Sequence, residues 1–323
     1  MKIFQIKNSD NKNILEQLDI PIPTPGPDEI LIRHEAIGIN FVDYEYLRGS
    51  VQHPFSPITP GIEAVGVIEA IGKGVENLKI GQRVGYATVN GGAYAEYRTI
   101  KLQYIFPIPD SITSESAALN LVKGMTAHYL MRRTFFLREG MTIVIHGAAS
   151  NVGRLMLKLA REYKVKVIAT VGSDDKKKLV IDSYAEAVFN YNNEDFVAGI
   201  NDITKKTGVP VVYDLIGKDL LKQSIKCMTP FGLLVSAGSA AEKSHPINPA
   251  ALSSRSLFLT APRLAQYKRD KPELMLSIVE IFGLIAARAF PAEAEKKYSF
   301  DQIPEALKDI ETRTTTSKVV ILG

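Results

Sequence analysis

The run TIVIHGAASNVG, residues 142–153, decides the fold. It opens apolar and β-branched over residues 142–145, the pattern of a strand buried on both faces. A turn of small residues follows, from His146 to Asn151. A helix is expected next, because Val152, Leu155, Met156, Leu159 and Ala160 recur at i, i+3 and i+4. Residues 165–171 read as a second buried strand. Strand, small-residue turn, helix, strand is the first half of a dinucleotide-binding fold, in which a pyrophosphate sits at the helix N-terminus. The G-x-G-x-x-G template falls on Ala148, Ser150 and Gly153. Ala148 is expected to make the turn, and Gly153 to let helix and strand pack closely. Ser150 carries a Cβ where bare backbone usually meets phosphate, and its hydroxyl offers a donor instead.

The same rhythm continues outward. Strands are expected at 142–145, 165–171, 187–190, 210–215, 233–236 and 257–260, with helical patterns between most of them. Six strands in this alternation make a full doubly wound parallel sheet. Upstream the texture differs. Residues 1 to about 118 are β-rich, with short runs at 30–33, 64–71 and 83–87 broken by glycine and proline, which points to a small barrel. Residues 20–29, IPIPTPGPDE, read as an extended connector. A helix is expected over 114–131 with Ser114 as its N-cap. Beyond Pro262 come a charged loop, helices over 272–287 and 302–311, and a last strand at 318–322. That strand exceeds the six, so it is assigned to the barrel. Residues 1–119 and 263–323 then form one domain, and 120–262 are inserted into it.

With 323 residues the chain has room for about two domains and a large core. A formal charge of +4, with basic and acidic residues intermixed, gives no basic stripe, so a nucleic-acid partner is not expected. One cysteine, Cys227, excludes an internal disulfide and a cysteine-rich zinc site. No apolar run is long enough to span a membrane and residues 1–13 lack the core of a signal peptide. A cytoplasmic location is expected.

Several segments together resemble one family. They are GINFVD (38–43), PGIEAVGVIEAIGKGV (60–75), GAYAEY (92–97), KGMTAHYL (123–130), the HGAASNVG turn, VYDLIG (212–217) and TTSKVVIL (315–322). In this order they are similar to the zinc-free quinone oxidoreductases, the zeta-crystallin-like branch of the medium-chain dehydrogenase/reductase superfamily. The resemblance covers nearly the whole chain. It implies an α/β protein built of a GroES-like β-barrel and an inserted Rossmann domain, with NADPH as cofactor and usually a homodimer. Zinc-dependent relatives place a cysteine and a histidine where this chain has Asn40 and Ile62, which are not zinc ligands of that kind. No metal is expected. His146, at the end of a buried strand, reads as a packed, hydrogen-bonded histidine.

The resemblance also implies site residues. Gly172, Ser173 and Lys176 fall where relatives meet the 2′-phosphate of NADPH, and Tyr191 and Lys318 match positions beside it. Asp174 and Asp175 could instead accept from a ribose hydroxyl, which leaves NAD open as the alternative. Asn151 and Val152 belong under the pyrophosphate beside Ser150. Asn40, Phe41, Thr126, Tyr129, Leu215, Ala237, Gly238 and Ser239 match other cofactor contacts. For catalysis the candidates are Asn40, which can hydrogen-bond an oxygen, and Tyr46, which can also give up a proton. The family's tyrosine and arginine in this loop are displaced by one step here, where Glu45 and Leu47 stand. The expected activity is NADPH-dependent reduction of a quinone. Reduction of an enone or enoyl thioester is the alternative enzyme reading, and an NADPH-binding structural or RNA-binding protein is the alternative of another class.

Overall fold

Antiparallel and parallel strands make separate sheets here, and each layout follows from its sequence texture. A computed structural model of the chain describes residues 1–9, 12–50, 57–87, 91–217, 220–238, 246–267, 270–312 and 318–322. The first segment contains β1 (Lys2–Ser9), β2 (Lys12–Asp19), β3 (Glu29–Gly38), α1 (Phe41–Leu47), β4 (Glu63–Ile71), β5 (Arg83–Ala87), β6 (Tyr97–Lys101), β7 (Ile105–Pro107) and α2 (Ser114–Arg132). The middle segment contains β8 (Thr142–His146), α3 (Asn151–Glu162), β9 (Lys166–Val171), α4 (Asp174–Ile181), β10 (Ala185–Asn190), α5 (Phe196–Ile203) and β11 (Val209–Asp214). It continues through α6 (Leu220–Ser224), β12 (Met228–Ser236), α7 (Ala250–Ser253), β13 (Phe258–Thr260) and α8 (Leu264–Tyr267). The last segment holds α9 (Lys271–Ala286), β14 (Lys296–Tyr298), α10 (Ile303–Thr312) and β15 (Lys318–Ile321).

The chain divides into two compact units, Met1–Met125 with Lys268–Gly323, and Thr126–Tyr267. In the first, β1 and β2 pair as an antiparallel hairpin, and a second sheet runs β14-β15-β3-β4-β5-β7 with β6 also on β3. β15 lies antiparallel to β3, with Val320 opposite Ile37. The last strand therefore belongs to the sheet of the first unit. Ile30, Ile32, Ile37, Ile68, Val84 and Tyr86 form the buried heart of this barrel-like unit. Full burial of each such side chain contributes about 1.5–3 kcal/mol.

In the second unit the order is β10-β9-β8-β11-β12-β13, with every adjacent pair parallel. Numbered from β8, this is 3-2-1-4-5-6, the doubly wound arrangement with its switch point between β8 and β11. Val144, Ile168, Val212 and Leu234 line its core. α3 buries Leu155, Met156, Leu159 and Ala160, the face read from its spacing. Among the described residues no helix is long and apolar enough to cross a membrane.

One local expectation is corrected. Ser114 does not cap α2 but is its first helical residue. Thr113 Oγ1 accepts the Ser116 N–H at 3.1 Å, which is the capping bond, while Ser114 Oγ donates to Glu35 at 2.6 Å. Either hydroxyl suits the role by chemistry; the Glu35 carboxylate, from β3, decides between them.

Candidate active site

The carboxyl ends of the parallel strands carry the candidate cofactor residues. After β8 the chain turns at Gly147, with φ +77°, a conformation that L side chains rarely adopt. Ala148 lies in the same turn, and Gly147 is the residue that takes its left-handed conformation. A Cβ at Gly147 would fall 2.7 Å from Ile216 Cδ1. A Cβ at Gly153 would fall 2.5 Å from the Gly147 carbonyl oxygen, so α3 starts directly against the turn. Ser150 is the N-cap of α3, its Oγ accepting the Gly153 N–H at 3.1 Å. A hydroxyl that accepts still has its proton to donate. Asn151 and Val152 open the helix, where backbone N–H groups have no intrahelical acceptor and favour an anion.

At the end of β9, Gly172 and Ser173 make the turn into α4. Ser173 Oγ accepts the Lys176 N–H at 3.3 Å, which caps the helix. A Cβ on Gly172 would lie 2.5 Å from Tyr191 Oη, so the bare glycine is what lets the phenol stand there. The Tyr191 N–H donates to the Val171 carbonyl at 3.0 Å and fixes the loop after β10 against β9. Gly172, Ser173, Lys176 and Tyr191 are thus gathered at one place. The acids read as rivals are committed elsewhere. Asp174 accepts from Asn190 Nδ2 at 2.8 Å and from Asn193 Nδ2 at 3.5 Å. Asp175 pairs with Lys178 at the surface, and Lys177 with Glu194 at 2.8 Å. Lys176 is half-buried.

At β11 and β12 the ends meet through backbone. The Leu215 N–H donates to the His146 carbonyl at 3.3 Å, and the Ala237 N–H to the Asp214 carbonyl at 2.8 Å. A Cβ on Gly238 would fall 2.5 Å from the Leu215 carbonyl, which makes this a close crossing that only glycine fits. Ser239 lies outside the described residues. Asp214 Oδ1 accepts from the Ile216 and Gly217 N–H groups at 2.8 and 3.0 Å, and burial pushes its carboxyl up to about 6. His146 is enclosed in the same region, with Nδ1 2.8 Å from Thr170 Oγ1 and Nε2 2.7 Å from Ser224 Oγ. Ser224 gives its own proton to the Leu220 carbonyl, so Nε2 must donate and Nδ1 accept. Burial holds this imidazole neutral, down to about 3. It is the packed histidine that its strand position implied.

Tyr129 is buried, with its ring stacked on Tyr267 at 4.5 Å, and burial raises its phenol. Thr126, one turn earlier on α2, is half-buried. Lys318 begins β15 in register with Lys296; its side chain lies outside the described residues.

In the first unit, α1 carries the remaining candidates and a group of buried charges that sequence reading passed over. Asn40 precedes α1, and its N–H donates to Asp43 Oδ2 at 2.9 Å. Asp43 also accepts from Tyr94 Oη at 3.0 Å and from the Gly61 N–H at 3.2 Å. Burial pushes its carboxyl up to about 7, against those donors. The Asn40 Nδ2 donates to Glu63 Oε1 at 2.7 Å. Glu63 is wholly buried and paired with Lys123 at 3.0 Å, and its Oε2 accepts the Val122 N–H at 2.6 Å. The signals available were Glu63 inside an apolar strand and Lys123 inside an apolar helix, each out of pattern for its neighbours. Phe41 is half-buried, its ring 5.8 Å from Tyr44. Tyr44 Oη donates to Glu311 at 2.8 Å, and Arg48 lies over its ring. Tyr46 is buried at 8 % exposure. His34 is a second buried neutral histidine, donating from Nδ1 to the Ala95 carbonyl and accepting at Nε2 from Tyr86. Among the described residues no group of three or more His, Cys, Asp or Glu side chains is placed to hold a metal ion.

Comparison with known proteins gives consistent results. Residues 26–110 match the alcohol dehydrogenase GroES-like domain, and residues 151–279 the zinc-binding dehydrogenase domain. A quinone oxidoreductase of Pseudomonas aeruginosa is 36% identical over 96% of this chain and 95% of its own. A 2-haloacrylate reductase of a Burkholderia species is 32% identical, over 94% of this chain and 93% of its own. The crystal structure of Escherichia coli quinone oxidoreductase complexed with NADPH is similar at TM-score 0.93 and 31% identity, covering 99% of this chain and 100% of that one.

Proposed function

The chain belongs to the zinc-free quinone oxidoreductase family of the medium-chain dehydrogenase/reductase superfamily, and on that premise we propose that it oxidises NADPH and reduces a quinone. The observation that carries the choice of cofactor is the turn after β9. Gly172, Ser173, Lys176 and Tyr191 stand together there, while Asp174 is bound by Asn190 and Asn193. An NAD site wants a carboxylate free for the ribose 2′-hydroxyl at this point, and a 2′-phosphate wants donors. The residues present fit the phosphate.

NADPH would be held by Ser150, Asn151 and Val152 at the pyrophosphate, by Gly172, Ser173, Lys176, Tyr191 and Lys318 around the 2′-phosphate, and by Asn40, Phe41, Thr126, Tyr129, Leu215, Ala237, Gly238 and Ser239 elsewhere. When bound, it supplies the reducing equivalents. Asn40 Nδ2 gives one proton to Glu63 and keeps a second for a substrate oxygen, and Tyr46 is the candidate proton donor. Tyr44 is committed to Glu311, and Asp43 is closed in by three donors. A strong acceptor such as a quinone suits this arrangement, because its product oxygens can take protons from solvent. At Asn40 and Ile62 there is neither thiolate nor imidazole for a zinc ion.

The similarity to a 2-haloacrylate reductase favours a second reading, reduction of an activated double bond. That product needs a proton delivered to carbon, which makes Tyr46 essential. Steady-state oxidation of NADPH and NADH with 1,4-benzoquinone and with a simple enone separates the readings. Faster turnover with NADPH and quinone is expected. Preference for the enone transfers the assignment to double-bond reduction. Tight NADPH binding without turnover on either leaves a binding protein.

A homodimer belongs to the same proposal. β13 ends the parallel sheet, and Phe258 and Leu259 on it are 60% and 44% exposed. An apolar strand edge is covered most simply by its two-fold copy. A cytoplasmic location accords with the single cysteine, Cys227, which is buried.

A further inference from the structure

We infer that Glu63 and Lys123 are positioning residues that set the orientation of the Asn40 carboxamide. The inference rests on Asn40 being a site residue. Glu63 has no exposed surface and Lys123 keeps 7% of its side chain exposed. Their burial is achieved by specific arrangements. A Cβ on Gly38 would fall 2.2 Å from Glu63 Oε1 and 2.5 Å from the Ala118 carbonyl, so the glycine leaves the space that the carboxylate occupies. Val122, next to Lys123, gives its N–H to Glu63 Oε2 at 2.6 Å. A buried ion pair of this kind adds little net stability over well-packed apolar side chains, since desolvation offsets its attraction. Stability alone therefore does not account for it.

What the pair does locally is fix an amide. Glu63 Oε1 receives two donors, Lys123 Nζ at 3.0 Å and Asn40 Nδ2 at 2.7 Å. Both Glu63 oxygens accept here, Oε2 from the Val122 N–H, so the NH₂ end of Asn40 faces the carboxylate and Oδ1 turns away from it. Lys123 Nζ, bound to the same oxygen, holds the carboxylate in place and thereby supports that choice. The Asn40 backbone is held independently by Asp43. Without this partner the amide, whose two ends are alike in size, is left only with the cap of α1, in which its side chain accepts from the Asp43 backbone. Flipping it exchanges a donor for an acceptor at any oxygen or amide it contacts.

The test is a thermodynamic cycle on turnover. Asn40→Ala is compared with the paired replacement Glu63→Gln plus Lys123→Met, and with all three substitutions together. Each is checked for folding by circular dichroism and for NADPH affinity by nicotinamide fluorescence. The paired replacement is expected to fold and to lower kcat about tenfold to a hundredfold, as loss of a positioning contact does. Adding Asn40→Ala should then change nothing further. Additive losses overturn the proposal, as does an unaffected kcat in the paired variant. If Asn40→Ala alone has no effect, the assignment of Asn40 to the site fails instead. Asn40→Asp covers the case in which the paired variant does not fold. It sets a second carboxylate against Glu63, with Lys123 behind it and Asp43 on the other side of residue 40. Two carboxylates then face each other at that contact, so the pH dependence of its activity should differ from the parent's. A pH profile parallel to the parent's overturns the proposal.

Discussion

Gly172→Ala offers a narrow test of cofactor choice, because its effect is set by one short distance. The φ of Gly172 lies outside the left-handed region, so alanine is unstrained by its backbone. The new methyl would stand 2.5 Å from Tyr191 Oη and 3.0 Å from Cζ. Ordinary contact begins at 3.4 Å, so the phenol oxygen must withdraw by ~0.9 Å. The ring can tilt to do so, since Oη is its far end, and the stability cost is about 1–2 kcal/mol, as for modest overpacking. A hydrogen bond of ordinary length does not survive such a shift. A bond to a charged acceptor contributes about 1.5–3 kcal/mol, which is about a tenfold to hundredfold effect on affinity. The KM for NADPH is therefore expected to rise by that factor, while the KM for NADH, which has no 2′-phosphate, stays within about twofold. Steady-state kinetics with both cofactors at saturating quinone measures it, with Tm as a control. An equal rise in both constants would refute the reasoning, because the turn itself would then be distorted. So would no change in either, because Tyr191 would then not meet the phosphate.

Lys176→Ala should also raise the NADPH KM by about tenfold and leave NADH alone, with the difference shrinking at high salt. Gly38→Ala should cost about 3 kcal/mol or more, read as a large fall in Tm, since its methyl cannot coexist with the buried Glu63 carboxylate. His146 and His34 are neutral when folded, at about 3 and about 4, against 6.5 for a free histidine. On acidification the unfolded chain gains protons that the native one refuses, so stability is lost as pH falls from 6.5 toward those values. His146→Gln should flatten Tm against pH in that window, whatever its cost at pH 7. Asp214 has the opposite sign: its carboxyl is raised from 3.8 to about 6, so its contribution is full below 3.8 and lost as pH rises through 6. Asp214→Asn should remove that decline.

What sequence could reveal follows from how far apart the deciding groups lie. The six parallel strands were legible because burial on both faces removes alternation, and each apolar run stands out alone. The turns that follow them were nearly as legible, since capping and glycine chemistry act within a few residues. Ala148 fitted the spacing, but Gly147 takes the positive φ, and its neighbour Ile216 comes from beyond β11. β14 was missed because residues 296–298, KKY, have no strand pattern of their own and become a strand only by pairing with β15. The choice between Thr113 and Ser114 as cap was likewise made by a distant carboxylate.

The same reasoning separates the two halves of the candidate site. Ser150, Ser173 and Gly172 act through their own turns; template spacing marked Ser150, and the family resemblance marked Gly172 and Ser173. Asn40 is held by Asp43 three residues on, by Glu63 from β4, and through Glu63 by Lys123 from α2. Read singly, Glu63 and Lys123 are two charges in apolar surroundings, and no local rule pairs them. Their partnership exists only once β4 and α2 are folded together, with Gly38 cleared of a side chain between them. A cofactor site can thus be built from short-range turn chemistry. The groups that orient a reacting partner depend on buried charges whose cost must be met by geometry from several segments at once. Substitutions around Glu63 should for that reason alter turnover and folding together, whereas those at the β9 turn should act mainly on cofactor choice.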